Sequence, residues 1–298
     1  MQRLNWDDFR LIQAIADTRS LGGAADRLGL NHSTVFRRLG ALEDQLGLQL
    51  FERARVGYTP TPSGMEMVSL SRRMADDVLE FERKIAGSDL KPSGELRLAT
   101  NDSMVAYLLA PILAGFRAAF PDIRLDVVVG NQALNLSRRD ADIALRATDA
   151  PPDTLVGRRL ASIAWSVYAA PEILARYGSP DHPEAPWIGY GEPLATVPAV
   201  RALNEKVGAD RIVYRTSTVV GQVEGAAAGL GFAAIPCFVA DQHPGVRRCG
   251  PADIEGGRGL WLLTHADLRH SARVRAFMDY AGAELTKRRK LLEGVLEG

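Results

Sequence analysis

The residues best suited to chemistry in this chain are arginines and short hydroxyl side chains that lie close together near the N-terminus. Ser33 and Thr34 open a predicted helix, Arg37 and Arg38 follow one turn later, and Arg27 lies a short distance upstream. Short polar groups let a helix backbone enter the major groove of DNA, and arginine binds guanine edges or phosphates. This pattern predicts a helix that binds DNA.

Three short helices are predicted to position these side chains. Asn5 and Ser20 are typical N-caps, and Gly29 stands where a left-handed residue would end the second helix. A third helix begins near Asn31 or His32 and repeats its apolar residues at helical spacing: Val35, Leu39, Leu42 and Leu46. Two helices joined by a tight glycine-containing turn predict a helix-turn-helix.

A two-stranded ribbon, or wing, is predicted after the third helix, with its tip around residues 55–57. Arg53 and Arg55 on this wing would reach the DNA backbone beside the groove. Phosphate contacts would supply most of the affinity, and the two hydroxyl residues with Arg37 would read most of the sequence. An amphipathic helix with a solvated polar face is the alternative, but the order of caps, turn and basic wing favours DNA binding.

A long linker helix is predicted from Thr61 and Pro62, which suit a cap and the first helical position. Its apolar residues form a narrow seam on an otherwise charged helix: Met67, Leu70, Met74, Val78, Phe81 and Ile85. Because such a seam is typical of a coiled coil, we expect dimers through this helix. The alternative is that the seam packs on the chain's own C-terminal part.

Beyond the hinge at residues 91–94 the pattern becomes α/β. Strands are predicted at 96–99, 123–129, 142–146, 164–169, 211–214, 232–235 and 260–263, and helices at 108–116, 219–228 and 272–285. Pro111 is expected in the first turn of its helix or at a kink. Strands that alternate with helices indicate a mostly parallel sheet.

Polar turns are predicted at the carboxyl ends of strands in both halves of this α/β part, where open sheets bind ligands. The candidate ligand-binding residues are Asn101, Asp102, Ser103, Arg146, Thr216, Ser217 and Thr218. Helix N-termini favour anions, but Asp102 would repel one unless it is turned away or paired. The turns therefore predict a small-molecule site without fixing the ligand's charge, and each hydroxyl could instead be a simple helix cap.

The bulk composition limits the class of protein. The 298 residues carry no formal net charge and 46% are apolar, which is ordinary for a soluble globular protein. We expect no secretory leader and no apolar run near the roughly 18 residues that span a bilayer, hence a cytoplasmic protein without a membrane partner. Cys237 and Cys249 lack metal-site spacing, so reduced thiols, no metal and no cofactor are expected.

Two segments resemble enzyme motifs only superficially. Residues 229–234 fit the GxGxxA pattern, but they follow a helix and open a strand, which is the reverse of a dinucleotide site. Residues 265–270 hold two histidines five apart, which is not metalloprotease spacing, and no serine lies in a GxSxG elbow. The chain is therefore not expected to be an enzyme.

Five segments together resemble the N-terminal signature of LysR-type transcriptional regulators: SLGGAADRL at 20–28, STVFRRL at 33–39, LEDQLG at 42–47, LFER at 50–53 and TPT at 59–61. The similarity is dense over residues 6–65 and looser to the C-terminus. His32 and Phe36 depart from the family, which usually has glutamine and a small hydroxyl residue there. Phe36 could touch a thymine methyl group or pack against the first helix, so these departures affect the operator sequence.

The resemblance implies a domain organisation and a set of partners. It implies a winged helix-turn-helix at 1–60, all-α apart from its wing, a dimerising linker helix at 61–90, and a bilobal effector-binding domain at 91–298, folded like a type 2 periplasmic binding protein. We place lobe 1 at about 91–162 and 267–298 and lobe 2 at about 163–266. Implied partners are operator DNA, a small effector and further copies in a homodimer or homotetramer, with RNA polymerase as a further candidate.

Two other classes are kept as alternatives to a ligand-responsive regulator. One is a solute-binding or transport-associated module built on the same bilobal fold. The other is an enzyme or cofactor-binding protein that carries a helix-turn-helix as an interaction module. Salt-dependent binding to DNA upstream of the chain's own gene separates the regulator from both.

Overall fold

The computed structural model describes residues 4–54, 57–85, 92–130, 141–191, 194–253 and 257–295. The chain divides into two compact units, Met1–Leu90 and Lys91–Gly298. The elements of the N-terminal unit are α1 (Trp6–Thr18), α2 (Leu21–Leu28), α3 (His32–Leu46), β1 (Phe51–Ala54), β2 (Gly57–Pro60) and α4 (Pro62–Ile85). This order confirms the predicted winged helix-turn-helix followed by a long helix.

Local signals begin and end these helices as expected. Asn5 and Asp8 form a reciprocal capping box on α1, and the Ser20 hydroxyl accepts the Gly23 amide at 2.9 Å. Gly29 ends α2 in the left-handed region, and the Thr61 hydroxyl accepts the Gly64 amide at the start of α4. At α3, by contrast, the Asn31 side chain makes no capping hydrogen bond.

The first part of the linker helix packs within the N-terminal unit, a contact that the seam pattern did not predict. Met67 and Val68 are buried in the core of the N-terminal unit, and Ser71 donates to the Phe9 carbonyl at 2.8 Å. The first half of α4 therefore belongs to the winged unit. Further along the seam, the side chains of Val78 and Phe81 are 46% and 62% exposed.

The C-terminal unit contains two five-stranded sheets. The first has the order β4-β3-β5-β12-β6 and consists of β3 (Gly94–Thr100), β4 (Ile123–Val129), β5 (Ile143–Thr148), β6 (Leu155–Ser162) and β12 (Gly259–His265). The second has the order β11-β7-β10-β8-β9 and consists of β7 (Trp165–Ala169), β8 (Trp187–Tyr190), β9 (Ile212–Thr216), β10 (Phe232–Pro236) and β11 (Arg247–Arg248). Three neighbouring strands in each sheet are parallel. One strand in each sheet runs the opposite way: β12 pairs antiparallel with β5 and β6, and β7 with β10 and β11. The predicted bilobal α/β architecture is confirmed.

One expected lobe boundary is wrong. Strand β12 was assigned to lobe 2, within residues 163–266, but it pairs antiparallel with both β5 and β6 of the first sheet. The chain therefore returns to the first lobe before Gly259 rather than after residue 266. Sequence spacing could not show this, because the strand's partners lie about 100 residues upstream.

Helices pack beside the two sheets and complete the lobes. They are α5 (Asp102–Met104), a π turn (Val105–Leu109), α6 (Ala110–Ala119), α7 (Pro171–Tyr177), α8 (Pro198–Lys206), α9 (Val219–Ala227), α10 (Cys237–Ala240), α11 (Ala272–Lys287) and α12 (Arg289–Leu292). Short 3-10 turns lie at Leu194–Thr196, Ala209–Arg211 and Leu268–His270.

The π turn has an identifiable local cause. Pro111 lies in the first turn of α6, which is one of the two positions predicted for it. Since proline has no N–H, it cannot donate to the Tyr107 carbonyl four residues earlier. The side-chain amide of Gln242 donates to that carbonyl instead, at 3.1 Å, and so links this turn to the loop after α10.

In the described part of the chain, the helical segment Asp102–Ala119 is long and apolar enough to cross a membrane by length and composition alone. The expectation that no run approaches this length is therefore corrected. Leu108, Ile112 and Phe116 of this segment are buried in the core of the C-terminal unit, which accounts for its apolar character.

Candidate functional site

Helix α3 presents a polar face to solvent and an apolar face to the core. Val35, Leu39 and Leu42 are buried. The opposite side carries exposed and half-buried candidate DNA-binding residues: His32, Ser33, Thr34, Phe36, Arg37 and Arg38. The helix therefore has the exposed surface that a recognition helix needs.

The three arginines near this face are not equivalent. Arg27 lies 2.7 Å from Asp17, and Arg38 lies 3.7 Å from Asp8, so both have carboxylate partners on α1. Arg37 is exposed and makes no hydrogen bond or ion pair with any residue that the structure describes.

The ion pair with Asp17 fixes the position of the Arg27 side chain. The two oxygens of this carboxylate bind Arg27 of α2 at 2.7 Å and Arg72 of α4 at 2.9 Å. The carboxylate thus joins three helices of the N-terminal unit. Arg27 has a structural role that its position in the sequence did not reveal.

Phe36 points outward. Its side chain is 61% exposed, so it does not pack against the first helix. An exposed phenylalanine on a recognition helix costs solubility unless it has a partner, and a thymine methyl group is a suitable one.

The wing is a short antiparallel ribbon that docks on the end of α1. Arg53 pairs with Tyr58 in the backbone ladder, and the Tyr58 amide donates to the Arg19 carbonyl at 2.9 Å. Gly57 has a φ of 112°, and a Cβ there would lie 2.2 Å from the same carbonyl oxygen, so only glycine fits. The side chain of Arg53 and all of Arg55 lie outside the described residues.

The first candidate ligand-binding turn is built around Asn101. Its side-chain oxygen accepts the Met104 amide at 3.0 Å and the Ser103 hydroxyl at 3.2 Å. Asp102 accepts the Ser103 amide at 2.7 Å, which occupies one carboxylate oxygen at the helix start. Ser103 is buried, so it stabilises the turn, whereas Asn101 and Asp102 remain partly accessible.

The second candidate turn contains both capping and free hydroxyl groups. Thr218 caps α9 by accepting the Gly221 amide at 2.9 Å, and Thr216 accepts the Thr218 amide at 3.4 Å. Ser217 is exposed, and its hydroxyl has no partner among the residues that the structure describes. Helices α5 and α9 are in contact, which brings the two turns to the same region of the C-terminal unit.

Arg146 lies at the same edge of the first sheet. Its Nη1 donates to the Gly130 carbonyl at 2.8 Å, and the Gly130 amide donates to the Thr100 carbonyl at 2.9 Å, next to Asn101. Burial lowers the pKa of the Arg146 guanidinium. Trp261, which the sequence analysis missed, is the cross-strand partner of Arg146 in β12. The sequence does not show that Trp261 lies opposite Arg146, so this residue could not be predicted as part of the site.

The two cysteines both have thiols whose pKa is raised by burial. Burial raises the pKa of the Cys249 thiol to about 11 and also raises that of Cys237. Both thiols therefore stay protonated near neutral pH, and thiolate chemistry is suppressed. Within the described ranges, no cluster of three or more metal-ligating side chains occurs.

Together, the exposed recognition helix, the docked wing and the bilobal α/β unit define the class of a helix-turn-helix regulator with a sensory domain. The chain belongs to the LysR family: residues 6–65 match the bacterial regulatory helix-turn-helix protein model of the lysR family, and residues 90–286 match the LysR substrate binding domain.

Curated relatives are named as transcriptional regulators, in agreement with the expectation that the chain is not an enzyme. A regulator of Xanthomonas campestris pv. campestris is 34% identical over 178 residues, which is 60% of this chain and 52% of that protein. CrgA of Neisseria meningitidis serogroup C is 30% identical over 64% of this chain and 65% of its own length. The chain thus spans about half to two thirds of these relatives.

Solved structures of full-length family members share the fold. The structure of CrgA from Neisseria meningitidis has a TM-score of 0.56 at 25% identity, covering 95% of this chain and 99% of that one. The structure of ArgP from Mycobacterium tuberculosis has a TM-score of 0.70 at 20% identity, covering 95% and 98%.

Proposed function

We propose that this protein is a cytoplasmic transcription regulator that binds operator DNA through α3 and the wing, and whose control of its target genes responds to a small molecule. The observation that carries the proposal is the free polar face of α3, on which exposed Arg37 has no described protein partner. The exposed Arg37 guanidinium lies on a helix that fits the major groove of DNA, so it can bind a guanine edge or a phosphate.

The proposed DNA-binding residues fall into two groups, one that contacts bases and one that contacts the phosphate backbone. Ser33, Thr34 and Arg37 would read base edges, and Phe36 would contact a thymine methyl group, with His32 at the helix start. Arg38, held by Asp8 and half-buried, is better placed for a phosphate than for a base. Arg27, Arg53 and Arg55 would add positive charge near the DNA backbone.

The small molecule would bind where the two polar turns and Arg146 come together. The contact between α5 and α9 supports this placement, since the turn preceding each helix carries candidate residues. A similarly folded regulator, LysG of Corynebacterium glutamicum, is described with its effector Arg bound. RNA polymerase would be a further partner at promoters where the regulator activates.

Salt dependence of DNA binding tests the proposed function. Because each phosphate contact releases counterions, we expect affinity for the DNA upstream of the chain's own gene to fall by about 10³-fold between about 50 and 200 mM salt. Fluorescence anisotropy with that DNA and a scrambled duplex of equal length measures it. Absence of binding, or a salt-independent affinity, would favour a solute-binding module or an enzyme with an interaction domain.

The exposed second half of the α4 seam supports a homodimer, which could assemble further into a tetramer. We expect Phe81→Glu to weaken self-association at least about 100-fold, because each copy loses a buried aromatic ring worth roughly 1.5–3 kcal/mol. Sedimentation velocity across a concentration series measures the change. Met65→Glu is the control, since Met65 is also exposed on α4 but lies off the seam. Equal dissociation by both variants, or a monomeric wild type, would contradict this interface.

A further inference from the structure

Arg146 has a buried side-chain nitrogen that forms no hydrogen bond with any described residue. Nη1 donates to the Gly130 carbonyl, but Nη2 is buried and has no hydrogen-bond acceptor among the described residues. A carbonyl dipole satisfies one N–H but does not neutralise the guanidinium charge. Arg146 is half-buried, so water solvates its charge incompletely and a counter-ion would stabilise it.

The described carboxylates near this sheet edge have other partners. Asp126 lies 3.1 Å from Arg97, and Asp149 lies 3.3 Å from Arg258. One oxygen of Asp102 accepts the Ser103 amide, and one oxygen of Asp142 accepts the Arg97 amide. None of these contacts supplies a counter-ion to Arg146.

A second donor lies on the same face of the sheet. Trp261 is directly paired with Arg146 across β5 and β12, so the two side chains leave the sheet on the same side. The Trp261 Nε1 is also buried without an acceptor in the described part of the chain. Among the described residues, two buried donors at the edge that carries the Asn101 turn therefore lack an acceptor, which favours a ligand with acceptor atoms such as an anion.

We propose that the effector is a small organic anion, and that its carboxylate or equivalent planar oxyanion binds Arg146 Nη2 while Trp261 Nε1 donates to a further acceptor atom. This inference rests on the proposed function, since it names the ligand class of the same site. Arginine suits the role because its planar fork matches a carboxylate and stays charged when buried.

The test uses the full chain and thermal unfolding, with a panel of mono- and dicarboxylates of two to eight carbons, each compared with its neutral amide at equal ionic strength. We expect at least one carboxylate to raise the Tm saturably, by about 5–10 °C at 100 times its Kd, and its amide to leave the Tm unchanged. Arg146→Met should abolish the shift, and Arg146→Lys should reduce it, because lysine keeps the charge but not the fork. Arg97→Met is the matched control on the same face and should retain the shift.

The outcomes separate the ligand class from the site itself. Stabilisation by an amide equal to that by its acid, no stabilisation by any carboxylate, or a full shift in Arg146→Met would overturn the anion assignment. The double variant Ser103→Ala with Ser217→Ala tests the site: if it loses the shift while Arg146→Met keeps it, the site stands and only the anion assignment fails. If the double variant and Arg146→Met both retain the Tm shift, the assignment of the ligand to this site also fails. A cooperative thermal transition without ligand shows that each variant is folded.

Discussion

Arg37→Ala should weaken binding to the cognate operator by about 10- to 100-fold, since a bidentate contact to a base is worth roughly 1–3 kcal/mol. The structure singles out this arginine because Arg27 and Arg38 are held by Asp17 and Asp8, whereas Arg37 projects freely from α3. Anisotropy titrations against operator and scrambled DNA measure the effect. A base contact predicts a loss confined to the operator.

Two comparisons show whether the loss at Arg37 is specific. Arg10→Ala removes an arginine that is similarly exposed but lies on α1 beside Asp7, and it should leave the affinity within about twofold. If Arg37 contacts a phosphate instead, its loss should weaken both DNAs equally and reduce the salt slope by about one. Unchanged operator affinity in Arg37→Ala would remove α3 from the DNA interface.

Gly64→Ala should destabilise the N-terminal unit by about 3 kcal/mol. Gly64 lies in the first turn of α4, and a Cβ there would lie 1.9 Å from the Leu50 carbonyl oxygen and 2.9 Å from its carbon. That oxygen already accepts the Thr61 amide at 2.9 Å, so the backbone cannot withdraw without breaking a second contact. Hydrogen exchange of amides in residues 6–60 measures the local loss, and DNA binding should fall with it.

Gly22→Ala is the matched control for this substitution. Gly22 is also helical, but a Cβ there would meet no atom within 4 Å. Alanine restricts the unfolded chain, so this variant should be more stable by roughly 0.5–1 kcal/mol. Equal protection in the two variants would mean that α4 does not approach Leu50 as described.

Features set by a few neighbouring residues could be predicted from the sequence. The caps Asn5, Ser20 and Thr61 and the left-handed Gly29 form where expected, because their hydrogen bonds span only three to five residues. In the described part of the C-terminal unit, seven of the ten strands and the helices α6, α9 and α11 also follow their patterns, whereas β6, β8, β11 and the other helices were not predicted. The sheet partners of the strands, as for β12, depend on long-range pairing that periodicity does not record.

The candidate site was predicted less completely than the fold, for the same reason. The sequence separated Arg27 from Asp17 by ten positions and Arg38 from Asp8 by thirty, so their ion pairs were not apparent. Ser103 and Thr218 prove to be engaged in the turns themselves. The Arg146 nitrogen without a described partner and its neighbour Trp261 can be identified only once β5 and β12 are paired.

The position of β12 also matters during synthesis on the ribosome. It lies between β5 and β6, so the first sheet lacks an inner strand until residues 259–265 have been translated, after every strand of the second sheet. A nascent chain halted before Gly259 would leave two open strand edges, which readily pair with other polypeptides. Premature stop codons late in the gene should therefore yield aggregating fragments rather than a shortened, working sensor.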